Sequence, residues 1–405
     1  MSSAVAFSWG EMVSLESLVA SGEVKLGRGN VISKIDIQNN PGPYPIYSSS
    51  SKNDGKMGEY GDYMFDEEMI SWSVDGGGYF FHRPKHKFSV TNVSGYMRLN
   101  SDWDYKFTAY SFQFQHGYFS FDYQTKAHPS VIREFYFLPK IPVAEQQKIA
   151  TILSSVDDVI EKTRAQIDKL KDLKTGMMQE LLTKGIGHTE FKDSPVGKIP
   201  LGWDVCTVSD IAKLTSGGTP DRQRSEYWNG SVPWVKTGEV NYQTIYDTDE
   251  KITALGLEES SAKLVPAGAV LMAMYGQGVT RGKVAKLGVA AAVNQACLAM
   301  IPNSRVLNDF LYYFFTREYF SLRSMVQEGA QKNLSMGIVK EIFLPVPPRE
   351  EQKLIVSALQ SVDIKIQLML DRLNCTLKVK KALMQDLLTG KVRVNLPDKE
   401  QAAGL

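Results

Sequence analysis

Donor-rich side chains cluster next to glycine-rich turns at four places, and their chemistry suits nucleic-acid recognition. Arg, Lys, Gln and Asn side chains read base edges in the major groove, while Lys and backbone amides hold phosphates. One such cluster alone is as readily a solvated turn, but four in one chain favour DNA. The residues expected to contact DNA are Arg83, Lys85, His86, Lys87, Thr219, Arg222, Gln223, Arg224, Lys236, Gln277, Arg281, Lys283, Lys332 and Asn333.

Motifs for catalysis or metal binding are not found. The sequence has no His-Glu-x-x-His, no Cys-x-x-Cys and no Gly-x-x-x-x-Gly-Lys-Ser/Thr. His82 and His86 are four residues apart but have no third ligand nearby in the sequence. The Gly27-Arg28-Gly29 run lacks the third glycine of a dinucleotide site and is predicted to be a turn. We therefore expect no catalytic residues, no metal and no cofactor on this chain.

The charge balance restricts how DNA could be bound. The 405 residues carry 46 Lys and Arg against 45 Asp and Glu, a net charge of +1, and neither globular segment defined below is strongly basic. Phosphate contacts must therefore come from local clusters. Three isolated cysteines, the lack of a secretory signal and the lack of a membrane-spanning apolar run predict a cytoplasmic chain without disulfides.

Two related long helices must position these clusters. Ile149 reappears as Ile355, and the offset of 355 − 149 = 206 residues holds along both segments. Their apolar residues alternate at spacings of 4 and 3, a period that predicts a coiled-coil seam about 50 Å long. Two separate amphipathic helices, each packed on its own domain, are the alternative. The seam residues are Ile149, Leu153, Val156, Ile160, Ile167, Leu170, Ile355, Leu359, Val362, Ile366 and Leu373.

The rest of the chain forms two related but diverged globular segments of mixed α and β content. Residues 69–74 and 269–274 are predicted strands that lead into glycine-rich turns, and Asn92 and Asn294 open similar runs at an offset of 202 residues (294 − 92). The predicted organisation is a globular segment at 1–143, a helix at 144–184, a connector with the second globular segment at 185–349, a helix at 350–391 and a tail at 392–405.

Several short motifs stand out along the chain, at residues 199–203, 216–220, 227–230, 232–235, 294–296, 331–335, 344–352 and 387–390. Together they resemble the specificity subunits of type I restriction-modification enzymes, and with the repeat they cover most of the chain. The first globular segment keeps Trp9-Gly10 and Tyr44-Pro45-Ile46-Tyr47 but lacks the Ser-Gly-Gly-Thr-Pro loop of the second.

The resemblance implies an α+β fold with two mixed α/β target recognition domains and two helices in an antiparallel coiled coil, a pseudo-two-fold repeat. It further implies a non-catalytic subunit in which each domain reads one half of a bipartite, asymmetric DNA target and the helices set the spacer. Double-stranded DNA, two methyltransferase subunits and two restriction or motor subunits are the implied partners. S-adenosylmethionine, ATP and Mg²⁺ are expected on those subunits, which methylate adenine and restrict DNA.

Two other classes remain open from the residues alone. A structural coiled-coil adaptor with protein-binding domains predicts no sequence-selective DNA binding in any complex. A nuclease with an unrecognised site predicts activity from the purified chain with a divalent metal alone.

Overall fold

A computed structural model describes residues 7–50, 52–75, 77–119, 121, 126–276, 279–327 and 333–396. The chain divides into two compact units, the first formed by Met1–Arg164 with Asp371–Leu405 and the second by Ala165–Leu370. Both division points fall inside the long helices, so each helix contributes one half to each unit. Among the described helices, none is both long and apolar enough to cross a membrane.

The first unit is built around a six-stranded sheet with the order β2-β7-β5-β6-β3-β4, while β1 pairs with β8 beside it. A 3₁₀ turn, Asn53–Gly55, precedes β4. The elements are β1 (Met12–Ser14), α1 (Leu15–Ala20), β2 (Val24–Arg28), α2 (Lys34–Asn39), β3 (Tyr44–Tyr47), β4 (Lys56–Tyr60), β5 (Phe65–Ser73), β6 (Phe80–Val90), β7 (Ser94–Leu99), α3 (Tyr105–His116), α4 (Pro129–Ile132), β8 (Phe137–Pro139) and the first long helix, α5 (Val143–Leu181).

The second unit holds a five-stranded sheet, β12-β20-β17-β18-β14, and a four-stranded sheet, β15-β13-β19-β16. The strand pairs β9-β10 and β11-β21 complete it, with 3₁₀ turns at Ser225–Tyr227 and Thr237–Glu239. The elements are β9 (Phe191–Lys192), β10 (Ile199–Pro200), β11 (Asp204–Thr207), α6 (Val208–Ile211), β12 (Ala212–Ser216), β13 (Trp228–Val235), β14 (Thr244–Ile245), β15 (Glu250–Ile252), α7 (Ala254–Glu258), β16 (Leu264–Val265), β17 (Val270–Ala273), β18 (Val284–Leu287), β19 (Ala291–Val293), β20 (Cys297–Pro302), α8 (Asn308–Arg317), α9 (Tyr319–Gln327), α10 (Met336–Lys340), β21 (Phe343–Val346) and the second long helix, α11 (Arg349–Leu388).

Both units follow one plan, and the two predicted strands are confirmed as β5 and β17. In the first unit β3 runs parallel to the end of β6, and in the second β13 runs parallel to β19. The Thr91 N–H donates to the Tyr47 carbonyl at 2.9 Å, and the Asn294 N–H donates to the Val235 carbonyl at 3.0 Å. Thr91 therefore corresponds to Asn294, and the predicted match of Asn92 to Asn294 is wrong by one residue.

Gly27 and Arg28 lie within β2, so the predicted turn at residues 27–29 is wrong for these two residues. Gly27 pairs with Tyr96 across β2 and β7. A Cβ atom at this position would lie 2.3 Å from Cζ of the Tyr96 ring. The glycine is needed because the tyrosine ring crosses the strand there, which is a close approach that only a residue without a side chain allows.

Large aromatic side chains form the cores of both units. Trp72, Phe107 and Tyr136 are almost fully buried in the first unit, between the sheet and α3. Trp203 and Phe310 are fully buried in the second, where α8 packs on β17, β18 and β20. Burial of these rings is the main apolar driving force that holds each sheet to its helices.

The two long helices pack antiparallel within each unit, and the predicted α+β fold with paired antiparallel helices is confirmed. In the second unit Leu182, just beyond the end of α5, shares a core with Ile355 near the start of α11. In the first unit Ile149 shares a core with Leu388. Of the seam residues, seven are buried and four are half-buried. The buried ones are Ile149, Leu153, Ile160, Ile167, Ile355, Leu359 and Val362, and the half-buried ones are Val156, Leu170, Ile366 and Leu373.

A glutamate at the start of each long helix, buried at Glu145 and half-buried at Glu351, fixes the chain that follows the other helix. Glu351 accepts hydrogen bonds from Trp203 Nε1 at 2.9 Å and His188 Nε2 at 2.8 Å. Glu145, 206 residues earlier (351 − 145), accepts from Arg393 Nε at 2.7 Å and Nη2 at 2.6 Å. These anchors occupy equivalent positions in the repeat although their donors differ.

The start of the chain also caps the end of α11. The Ser8 N–H donates to the Thr389 carbonyl at 2.7 Å, and Trp9 Nε1 donates to the Leu388 carbonyl at 2.9 Å. Carbonyls at a helix end lack partners within the helix, so these two donors satisfy groups that would otherwise need water. Gly390 then leaves the helix with a φ of +78°, as glycine does at this position.

Candidate nucleic-acid interface

The Ser-Gly-Gly-Thr-Pro loop of the second unit is held against the turn that follows β19. The Gly218 N–H donates to the Val293 carbonyl at 3.0 Å, and Thr219 Oγ1 donates to Gln295 Oε1. A Cβ at Gly217 would lie 1.6 Å from the Val293 oxygen, so only glycine fits there. The structure thus brings together two motifs that are 76 residues apart in the chain.

Arg222 is held by aromatic rings at the end of this loop. Its guanidinium lies 3.8 Å from the centroid of the Trp228 ring and 5.0 Å from that of Trp234. The two indole rings meet edge to face at 5.2 Å, and Trp234 Nε1 donates to the Gly218 carbonyl at 3.0 Å. Cation–π contacts of this kind restrict an arginine to one orientation while leaving its N–H groups available to other acceptors.

Carboxylates pair with the cations around Arg222. Glu250 accepts a hydrogen bond from Arg222 and lies 3.0 Å from Lys236 Nζ, while Asp249 lies 3.6 Å from the same Nζ. Hydrogen bonds from Arg222 and Lys236 lower the pKa of the Glu250 carboxyl, which keeps it ionised at neutral pH. Each cation of this loop region therefore already faces a negative charge within the protein.

Arg224 and Gln223 complete the same loop. Arg224 lies 2.7 Å from Glu226 and 3.0 Å from Glu259, and its guanidinium lies 4.1 Å from the Tyr227 ring centroid. The Gln223 side chain is exposed to solvent, and its backbone N–H donates to Asp221. The loop thus offers one free amide side chain beside two arginines that are oriented by aromatic rings.

The predicted contact residues that follow β17 have other surroundings than those of this loop. Lys283 Nζ donates to Asn241 Oδ1 at 2.8 Å, and the half-buried Arg281 accepts at its carbonyl from Arg323. Asn333 is exposed. Gln277 and Lys332 lie outside the described residues.

In the first unit Arg83 is committed to partners within the protein. Its side chain is buried, its Nε donates to Ser71 Oγ at 2.8 Å, and its Nη2 donates to the Asp54 carbonyl at 2.6 Å. The guanidinium stacks 3.6 Å above the Tyr47 ring, and burial lowers the pKa of Arg83 to about 10. This placement counts against a direct DNA contact by Arg83 and gives it a packing role.

The other three predicted residues of β6 lie nearer the surface. Lys85 is exposed, and Lys87 lies 4.6 Å from the Tyr63 ring and 5.7 Å from the Tyr44 ring. His86 Nε2 lies 3.1 Å from the Tyr47 hydroxyl. The sequence does not predict these aromatic partners. Tyr44 and Tyr47 belong to a short motif, and their contact with β6 depends on how the strands pair.

A cleft of about 800 Å³ opens beside these residues, between β6, α3 and the first half of α5. Asp157, Asp158 and Glu161 line the wall formed by the long helices together with Arg164 and Lys380, and His82 and Lys106 lie elsewhere in the lining. Acidic and basic side chains therefore line the cleft together, so the charge of the lining does not by itself exclude phosphate. Across the described part of the chain, no cluster of three His, Cys, Asp or Glu side chains could hold a metal ion.

Two domains of one plan, with cations held by aromatic rings in loops beside the sheets, define a two-domain DNA-recognition protein. The chain belongs to the type I restriction-modification DNA specificity family, whose domain matches residues 12–172 and 200–377. The resemblance found in the sequence is thereby confirmed. Members of this family recognise DNA sequence and are themselves non-catalytic.

Individual relatives cover nearly the whole chain. The type I restriction enzyme MjaVIII specificity subunit of Methanocaldococcus jannaschii is 26% identical over 374 residues, or 87% of each chain. The crystal structure of a type I S subunit from M. genitalium covers 98% of this chain and 99% of its own, with a TM-score of 0.60 at 14% identity. A chain from a structural study of type I complex assembly covers 94% and 98%, with a TM-score of 0.56 at 15% identity. These two structures share the fold.

Proposed function

We propose that the chain directs a type I restriction-modification complex to a bipartite, asymmetric DNA target, each unit reading one half. The observation that carries this proposal is the different chemistry on equivalent strands. By strand register, Ile46 of the first unit corresponds to Trp234 of the second, and the chain then continues to Ser48 in the first unit and to Lys236 in the second. Two surfaces with different donors and rings select different bases, so the two half-sites differ in sequence.

The antiparallel helices would set the number of base pairs between the half-sites. The long helices of 39 and 40 residues each span about 60 Å, which corresponds to roughly 17 base pairs at about 3.4 Å each. A rigid helical pair supports such a role, because its length does not change with the sequence of the DNA that lies between the half-sites.

Partner subunits would supply the chemistry. We expect two methyltransferase subunits that use S-adenosylmethionine to methylate adenine, a reaction that requires the base to leave the stack. Two restriction or motor subunits would use ATP and Mg²⁺. Because partners share the phosphate contacts, the near-neutral isolated chain should bind DNA weakly at physiological salt. Tight site-specific binding by the purified chain alone would contradict this division of labour.

The experiment is to express the chain with the methyltransferase subunits in a host free of adenine methylation and to sequence the methylated adenines. One motif with two separated halves is expected. Arg222→Ala and Arg281→Ala should relax selection in one half only, and Lys87→Ala should relax selection in the other. Loss of selection in both halves from one variant would contradict the assignment of one half-site to each unit.

Two results would favour the alternative classes instead. A complete set of subunits that leaves DNA unmethylated, while the chain captures another protein, would indicate an adaptor. Cleavage of DNA by the purified chain with Mg²⁺ alone would indicate a nuclease.

A further inference from the structure

Around Arg222 in the second unit, carboxylates outnumber the cations with which they pair. Three cations lie there, and each is within ion-pair distance of at least one carboxylate. The cations are Arg222, Arg224 and Lys236, and the carboxylates are Glu226, Asp249, Glu250 and Glu259. A loop set of this kind offers little attraction to the phosphates of DNA in general, because phosphate must compete with carboxylates that are part of the protein.

Glu250 occupies the central place in this arrangement. It is the one carboxylate of the four that contacts both Arg222 and Lys236, and its side chain is 31% exposed. Its neighbours on the other side of Arg222 are the Trp228 and Trp234 rings, which orient the guanidinium without neutralising it. The rings and the carboxylate therefore have different effects on Arg222. The rings fix the orientation of the guanidinium, and the carboxylate neutralises its charge.

We propose that Glu250 is a specificity-determining residue that acts through Arg222 and Lys236 by suppressing their contacts with DNA of the wrong sequence. On a non-target duplex, phosphate alone does not displace the carboxylate. On the target, base edges that accept from the oriented guanidinium add hydrogen bonds that no random sequence provides. The discrimination thus depends on making non-specific binding weak, which is as effective as making specific binding strong. This inference rests on the proposed DNA recognition.

The test compares Glu250→Gln with wild type in the complex with methyltransferase subunits. Binding is measured on a duplex carrying the methylated motif and on a scrambled duplex of the same composition, from 50 to 200 mM salt. Each phosphate newly contacted steepens the salt slope by about 0.9. We expect the scrambled duplex to bind roughly fivefold tighter with a slope steeper by about 1 to 2, while target affinity changes less. The ratio of the two affinities should fall accordingly.

Asp204→Asn is the matched control, because it removes the same charge from the same unit. Asp204 lies on β11 and pairs with Arg305 at 3.1 Å, outside the recognition loops. An equal rise in non-specific affinity in this variant would overturn the proposal, since bulk charge would then explain the effect. A Glu250→Gln variant that binds both duplexes more weakly would also overturn it, because that is the result of a purely structural carboxylate.

A double variant keeps the test independent of folding. Adding Arg222→Gln to Glu250→Gln should return the non-specific affinity most of the way to the wild-type level. If the double variant binds the scrambled duplex as tightly as Glu250→Gln does, Glu250 does not act through Arg222. The failure of the proposed function is distinct: a wild-type complex that binds target and scrambled duplexes equally would overturn DNA sequence recognition itself.

Discussion

Lys174 on the first long helix forms an ion pair with Asp363 on the second, with Nζ and Oδ1 2.6 Å apart. The same relationship recurs with the helices exchanged, since Lys380 lies 2.6 Å from Asp157. The two lysines are 206 residues apart (380 − 174), as are the two aspartates (363 − 157). Both lysines stand in the repeating seam pattern, where a polar residue costs stability unless it is paired, so the pairs select one antiparallel register.

Loss of one lysine should destabilise the second unit measurably. Lys174→Met keeps the aliphatic part of the side chain but leaves Asp363 without its cation. Lys174 is 17% exposed and Asp363 is 36% exposed, so we expect a loss of about 1–2 kcal/mol, less than for a fully buried pair. Urea unfolding measures it. The control is Lys184→Met, whose surface pair with Glu180 should be worth under about 0.5 kcal/mol. Equal effects of the two variants would contradict a register role.

Alkaline pH should weaken both units through the buried Tyr313 and the half-buried Tyr110. Tyr313 donates to Asp363 Oδ2, and Tyr110 donates to Asp157 Oδ2, both at 2.6 Å. Burial first, then the hydrogen bond and charge of the aspartate, raise the pKa of each phenol. In the unfolded chain a tyrosine ionises near pH 10, roughly. The folded state therefore binds more protons above this pH, so the free energy of unfolding falls as pH rises, and the contribution is fully present below it.

Tyr313→Phe tests this linkage. At pH 8 the variant should lose about 1.5–3 kcal/mol, because the deleted hydrogen bond ends on a charged acceptor. Above about pH 10 the difference from wild type should shrink, since phenylalanine does not titrate. Urea unfolding at several pH values gives both numbers. Tyr246→Phe, at an exposed tyrosine, is the control. A difference that stays constant from pH 8 to 11 would show that ionisation is not involved.

The half-buried carboxylate of Glu351 at the start of α11 should not tolerate replacement by an amide. Glu351 accepts from Trp203, from His188 and from the Ile186 N–H, the last at 3.0 Å. Glu351→Gln removes the charge and turns an N–H group toward these donors, so we expect a loss of about 2–3 kcal/mol in urea unfolding. Glu350→Gln is the neighbouring control, because Glu350 is 82% exposed. If both variants unfold at the same urea concentration, the anchor contributes nothing.

The proposed spacer role of the helices predicts the effect of a matched insertion. Seven residues added after Leu170 and seven after Ile366 keep the seam in phase, because the two cuts are equally far from the Lys174–Asp363 pair. The helices lengthen by about 10.5 Å, roughly three base pairs. Sequencing of methylated adenines should show unchanged half-sites with a spacer about three base pairs longer. A seven-residue insertion in α5 alone should abolish methylation, and a changed half-site with the old spacing would contradict the proposal.

The helices were predictable because their determinants are local and periodic. The positions from Ile149 onward follow one spacing, and the 206-residue repeat adds an internal check. The same pattern even places Lys174 and Lys380 in the seam, although it does not identify their aspartate partners. Pairing between two helices far apart in the chain depends on the register of the fold, which no single segment contains.

Residue type alone does not predict how the proposed DNA-contact residues are arranged in the structure. Arg83 was expected at the DNA surface, yet strand pairing buries it against Ser71 and Tyr47. Arginine has a long apolar stem and can be buried when its N–H groups find partners, so composition alone does not separate the two outcomes. The sequence around Glu250 does not indicate a site residue, because Glu250 comes next to the residues around Arg222 only through the pairing of β15 with β13.

The division of both helices between the units has a consequence for the order of folding during synthesis. The second unit needs only residues 165–370, so its core can close once these have left the ribosome. The first unit contains residues made before these, yet Ser8 and Trp9 form their hydrogen bonds only when the carbonyls of Leu388 and Thr389 have been made. A premature stop near residue 370 would therefore spare the later-encoded domain and leave the earlier one without its final helix.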